Sequence, residues 1–216
     1  MPKLRLLLGD DHTLVRHGLR KILEERPDWE VVSEVGDGRE AVREVVAHRP
    51  DVAIIDVAMP LLNGIDATQQ IVRRAPDTRV LMLSMHADEA YVMRALQAGA
   101  TGYMVKDSAG KELLKAVEAV AAGRRYFSAA IERLAQDENA VRVGSSGFAD
   151  RYETLSTRER EIFQLIAEAR SNKEVAALLN ISPATVETHR ARILQKLDVH
   201  NIAEVVLYAV RRGIIS

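Results

Sequence analysis

The chain has 216 residues, 47% hydrophobic and 28% charged, with a net charge of −1 and no cysteine. This is the composition of an ordinary globular protein with one large domain or two small ones, and it excludes disulfide scaffolds and thiolate metal sites. No apolar run reaches bilayer-spanning length, and the short run in MPKLRLLLGDD has no signal-peptide cleavage site, so a cytoplasmic protein without a membrane partner is expected.

From the N-terminus, short β-rich runs alternate with helical patterns. The runs are Leu4–Leu8, Val31–Val35, Val52–Ile55, Val80–Ser84 and Gly102–Val105, most of them continuously apolar, as strands covered on both faces are. In HTLVRHGLRKILEE, Leu14, Val15, Gly18, Leu19, Ile22 and Leu23 recur at helical spacing. Further helices are expected over about Gly38–His48, Ile65–Arg74, Asp88–Ala98 and Ala109–Ala121. The pattern predicts an α/β domain over residues 1–122, a doubly wound five-stranded parallel sheet.

Beyond Gly123 the periodicity weakens. RRYFSAAIERLAQ suggests a short extra helix, and DENAVRVGSSGFADRYE mixes charge, Gly and Ser without a period, so residues 123–152 read as a linker. Residues 153–216 read as a small all-α domain of four helices. STREREIFQLIAEA opens on a capping box, Ser156 with Glu159. SNKEVAALLN is a short second helix. In SPATVETHRARILQKL, Ser182 is the N-cap and Pro183 takes the first helical position. NIAEVVLYAVRRG is the fourth, stopped by Gly213. Residues 151–216 carry ten Lys/Arg against eight Asp/Glu, a net of +2 that leaves −3 for residues 1–150. That asymmetry is too small to indicate nucleic acid by itself.

In a parallel sheet the strand C-termini share one edge, where ligands bind. Asp10 and Asp11 end the first strand, Asp56 the third, Ser84 the fourth and Lys106 the fifth. Three carboxylates offer a hard oxygen site suited to Mg²⁺, and Lys106 offsets their repulsion. The set suits phosphoryl transfer: Asp56 as nucleophile, Lys106 neutralising phosphoryl oxygens, Ser84 donating a hydrogen bond. A phosphohydrolase acting on an external substrate would need a general acid, and Val57 and Ala58 supply no second carboxylate there. No turnover enzyme is expected. His12 and His17 read as helix-start and surface residues, and His86 as a loop residue.

GDDH, IIDVAMPLLNGID, LMLSMH and GYMVKD together resemble the receiver domain of two-component response regulators over about residues 3–122. The resemblance implies a flavodoxin-like strand order 2-1-3-4-5 and a set of roles. Asp56 matches the phosphoacceptor. Asp10 and Asp11 match the Mg²⁺-binding pair, with the Ala58 carbonyl as a further ligand. Ser84 and Lys106 match the switch hydroxyl and lysine, and Tyr103 the aromatic switch, which is expected to turn inward once a phosphoryl group on Asp56 draws Ser84 away.

In the third helix of the C-terminal module, Val186, His189, Ile193 and Leu197 share the inward side. Ala184, Glu187, Thr188, Ala191, Arg192 and Gln195 share the outward one. The NISP turn before it fits a helix-turn-helix, although periodicity alone equally allows a four-helix module for protein contacts. Residues 153–215 resemble the LuxR-type DNA-binding domain, and the two domains together are similar to the NarL/FixJ subfamily of response regulators. That implies a sensor histidine kinase as phosphodonor, a double-stranded operator, and a homodimer when phosphorylated. By position, Ala184, Glu187, Thr188 and Ala191 match the major-groove face, and Asn172, Lys173, Arg190 and Arg192 are the candidate phosphate contacts. Glu187 stands where several relatives carry Lys, and could accept from a cytosine amino group. Ala169 stands where Gly is frequent. On the fourth helix Val205, Val206, Tyr208 and Ala209 are the expected dimerisation residues. A constitutive DNA-binding protein that ignores phosphorylation is the remaining alternative.

Overall fold

Neighbouring residues of one strand face opposite sides of a sheet, so a continuously apolar strand feeds two cores. The computed structural model, which describes residues 3–85, 87–129, 131 and 151–215, shows this along the first strand. Leu7 joins a core with Val42, Ile55, Ile71 and Met82, while Leu6 and Leu8 join one with Leu19, Ile54, Leu81 and Leu113. The strands are β1 (Leu4–Gly9), β2 (Trp29–Val35), β3 (Val52–Asp56), β4 (Arg79–Ser84), β5 (Gly102–Val105) and β6 (Tyr126–Phe127). The helices between them are α1 (Thr13–Leu23), α2 (Gly38–His48), α3 (Gly64–Arg74), α4 (Glu89–Gln97) and α5 (Ala109–Ala121).

All pairings are parallel, in the order β2-β1-β3-β4-β5-β6. The expected order of the first five strands is met, and a sixth must be added. Tyr126 and Phe127, read from sequence as the start of a short helix, pair with Gly102 and Tyr103. A two-residue strand is too short to show an alternating pattern. The Tyr126 hydroxyl donates to Glu112 at 3.1 Å, which ties this edge to α5. Most of the expected linker, residues 132–150, lies outside the described residues, as does His86.

The C-terminal helices are α6 (Thr157–Ala167), α7 (Asn172–Leu179), α8 (Pro183–Leu197) and α9 (Ile202–Arg211). The capping box at Ser156 and Glu159 forms, and a second one, Ser171 with Glu174, starts α7. Ser182 caps α8 with Pro183 in its first turn. Phe163, Val175, Val186, Ile193, Leu197 and Val205 fill the core between them, and Tyr152, at the end of the expected linker, joins it. Ala169 has φ of +59°, the left-handed geometry that favours the glycine frequent there. Gly213 has φ of +60°, and a Cβ there would meet the Tyr91 hydroxyl of α4 at 1.7 Å. The end of α9 thus docks closely on the sheet domain.

Candidate functional site

Each strand end delivers the group expected of it. Asp10 is fully buried, Asp56 and Ser84 nearly so, and Asp11 lies nearer the surface. The Lys106 ammonium sits 2.7 Å from Asp56 Oδ2 and 2.8 Å from Asp10 Oδ2. The ammonium thus bridges the two buried carboxylates. One ligand atom from each of Asp10, Asp11, His12 and Asp56 lies within 4.8 Å of the others, a grouping that fits a divalent cation. His12 stands at the start of α1 as expected, without a side-chain capping bond, and its Nδ1 lies 2.7 Å from Asp11, a contact the sequence did not suggest.

One lysine does not balance three carboxylates. Burial pushes the Asp56 carboxyl up to about 6; Lys106 pulls it down, while Asp10 and Asp11 raise it further. Burial alone would depress the Lys106 ammonium, but Asp56 and Asp10 outweigh it and hold its pKa above the ordinary value. The pocket is short of positive charge.

Tyr103 lies inward. Its ring is fully buried and its hydroxyl is hydrogen-bonded to Ser84. Burial, partly offset by that bond, raises the phenol to about 12. The physical reason for the inward position is packing: the ring is part of the core with Val57, Met82 and Val105, and an aromatic side chain gains more from that site than from water.

The loop after Asp56 runs through Ala58 to Asn63, and its end returns to its start at Gly64, where a Cβ would lie 1.9 Å from the Asp56 carbonyl oxygen. Its outer side is held by the helical domain. Gln164 Nε2 donates to the Met59 carbonyl at 2.8 Å, and Gln164 Oε1 accepts from the Asn63 N–H at 2.6 Å. Glu168 accepts from the Leu61 N–H at 2.8 Å. Beside these, Asp66 of α3 accepts from Tyr152 Oη at 2.6 Å and pairs with Arg160 at 3.0 Å. Arg160 also binds Glu153 at 2.6 Å and covers the Tyr152 ring at 5.0 Å. A cleft of about 160 Å³ separates Asp11 and Ala58 from Glu168 and Ile215. No sequence signal marked this seam, because its partners are far apart in the chain and each residue reads locally as an ordinary helix polar group.

On the helical domain, Ala184, Glu187, Thr188, Ala191 and Arg192 are exposed together on α8, although the two domains are docked. Lys173 is exposed, and Asn172 and Arg190 are half-buried. Val186, Ile193 and Leu197 are buried as expected, and His189 is half-buried on their side, its Nδ1 without a hydrogen-bond partner. The expected dimerisation set needs correction. Val205 and Ala209 lie in the core, and Tyr208 packs edge-on against Phe163 at 5.8 Å. Positions 205 and 209 are one turn apart and form the buried stripe, so the outward apolar face is Ile202, Leu207 and Val210, flanked by half-buried Val206.

Comparison with known proteins agrees with this division. Residues 6–118 match the family described as response regulator receiver domain, and residues 153–209 match bacterial regulatory proteins of the luxR family. The chain is 38% identical over 216 residues to the oxygen regulatory protein NreC of Staphylococcus carnosus, covering 99% of this chain and 100% of that one. It is similar to the RcsB response regulator of Salmonella typhimurium, with a TM-score of 0.59 and 26% identity over 98% of this chain and 100% of the other. A structure of an RcsB–DNA complex is similar too, with a TM-score of 0.59 and 26% identity, over 96% of this chain and 98% of that one.

Proposed function

This chain belongs to the two-component response regulators that join a receiver domain to a LuxR-type DNA-binding domain, and on that premise we propose which residues carry the signal. It is a transcription regulator. Asp56 is the phosphoacceptor. A sensor histidine kinase presents a phosphohistidine, an Asp56 oxygen attacks the phosphorus, and the P–O bond forms as the P–N bond breaks. Asp10, Asp11, Asp56 and the Ala58 carbonyl would hold Mg²⁺, which would supply charge neutralisation at the phosphoryl oxygens. Lys106 holds one phosphoryl oxygen by charge and Ser84 donates to another. The observation that carries this reading is the imbalance of the pocket: three clustered carboxylates, two of them sharing one lysine, with Asp56 pushed up to about 6.

The signal then travels two ways from Asp56. Ser84, drawn toward the phosphoryl group, leaves its bond to Tyr103. The Met59–Asn63 loop, three residues beyond Asp56 in the chain, shifts with it and loses its fit to Gln164 and Glu168. The helical domain leaves the receiver and pairs with that of a second copy, and the two α8 faces read two half-sites of an operator. Asn172, Lys173, Arg190 and Arg192 contact phosphates. Operator binding places this work in the cytoplasm.

The test is sedimentation with Mg²⁺, with and without beryllofluoride as phosphoryl mimic, on wild type and Asp56→Asn. A shift from monomer to dimer, with tighter operator binding, is expected for wild type alone. One observation favours the constitutive alternative: the α8 face is exposed in the docked arrangement. Equal DNA affinity of Asp56→Asn and mimic-treated wild type would establish that alternative and sink the switch.

A further inference from the structure

The DNA-facing side of α8 has unusual chemistry for a protein that binds a polyanion. Its central residues, Ala184, Glu187, Thr188 and Ala191, include no cation. The Thr188 hydroxyl donates to the Ala184 carbonyl at 3.0 Å, so its proton is committed inside the helix. Three methyls and two acceptor groups, the Thr188 hydroxyl oxygen and the Glu187 carboxylate, are left to meet base edges. Glu187 is also held in place. Its carboxylate is hydrogen-bonded to Asn172 Nδ2, on the neighbouring helix and not three or four positions along its own. A carboxylate only accepts, so the amide must turn its NH₂ toward it, which orients both side chains. The second N–H of that amide stays available for a phosphate oxygen.

We propose that Glu187, oriented by Asn172, is the specificity-determining residue of this face, and that it selects a cytosine in each half-site through the N4 amino group. The inference rests on the reading of α8 as the helix in the major groove. The physics is one of acceptors and donors. Cytosine offers an amino donor in the major groove, and adenine an amino donor beside the N7 acceptor. Guanine presents only O6 and N7, and thymine O4, all acceptors that face a carboxylate with repulsion. The order is therefore cytosine, then adenine, with guanine and thymine rejected. Asn172 acts as a positioning residue: it limits the directions the carboxylate can take and so sharpens the choice without making it.

The experiment is selection from a randomised duplex pool at one fixed salt concentration, using the full chain with Mg²⁺ and beryllofluoride, and measuring affinity for a scrambled duplex in parallel. Wild type, Glu187→Gln, Glu187→Ala and Asn172→Ala are compared; Glu187 is exposed, so its variants keep the fold. Wild type should favour cytosine over guanine about tenfold at one position per half-site. Glu187→Gln should move that position to adenine, whose N6 and N7 match a carboxamide. Glu187→Ala should level the position while binding the scrambled duplex more tightly, because a negative charge is gone. Asn172→Ala should keep cytosine but lower the ratio. If Glu187→Gln and Glu187→Ala select the same base as wild type at every position, the inference is overturned. A wild type that enriches no sequence overturns the DNA-binding reading with it.

Discussion

The acidic pocket and the seam between the domains both bury carboxylates against a cation, and they differ in how far the charge is answered. At the seam, Asp66 Oδ1 takes Arg160, and Oδ2 takes Tyr152 and the Asn63 amide at 2.6 and 2.8 Å. Arg160 in turn is spent on Asp66, Glu153 and the Leu155 carbonyl. In the pocket, one ammonium, Lys106, is shared between Asp10 and Asp56, with Asp11 close by. Complete compensation makes a joint that holds. Incomplete compensation stores a demand for positive charge, which a divalent cation and a transferable phosphoryl group can meet.

The contrast breaks most visibly at Asp66. Asp66→Ala would leave the Tyr152 hydroxyl buried without its acceptor and Arg160 with Glu153 as its one remaining carboxylate, a loss of about 3 kcal/mol. The domains should part instead of enclosing that charge. Small-angle scattering should report a larger radius of gyration, with both domains still folded by circular dichroism. Unchanged scattering would mean that the seam is held by something other than this network.

In the pocket the same kind of change should have the opposite sign. Asp56 titrates at about 6 in the fold against 3.8 as its ordinary value. The folded chain thus binds more protons than the unfolded one between those values, and stability falls as pH rises through them. Asp56→Asn removes that loss, so in EDTA at pH 7 it should be more stable than wild type by on the order of 2–3 kcal/mol. Thermal melts should show the gap opening between about pH 4 and pH 6 and staying constant above. Mg²⁺ should narrow it by stabilising wild type. A variant less stable than wild type at pH 7 would refute the claim of undercompensation.

The smallest effect sharpens the comparison on the seam side. Ala169 follows Glu168, which grips the Leu61 N–H, and its left-handed backbone involves no charge. Ala169→Gly relieves that geometry but adds freedom to the unfolded chain, for a net gain of about 0.5 kcal/mol. Calorimetry should find a slightly higher transition for the helical domain with the scattering profile unchanged. A looser seam instead would show that the strained corner helps to aim Glu168.

Much of this was legible in the order of residues. Strand periodicity and parallel topology send every strand C-terminus to one edge, so Asp10, Asp11, Asp56, Ser84 and Lys106 had to meet there wherever each lay in the chain. The 3.6-residue period likewise separated Val186, Ile193 and Leu197 from Ala184, Glu187 and Ala191 before any coordinates were known. On α9 the same reasoning failed, because apolar residues lie on two faces and the period alone does not choose which is buried; packing against α6 chose Val205 and Ala209.

By itself, then, the sequence determined the two domains, the ligand edge of the sheet and the outward face of α8, since each follows from local periodicity and chain connectivity. Only the tertiary structure decided who stands opposite whom. The bonds Tyr152 to Asp66, Glu168 to Leu61 and Asn172 to Glu187 join residues 86, 107 and 15 positions apart. Tyr103 lies inward because a filled core favours it there, and Tyr126 and Phe127 form a strand because β5 offers an open edge. Local patterns state which side of an element is apolar; the identity of the partner across an interface is a property of the packed whole.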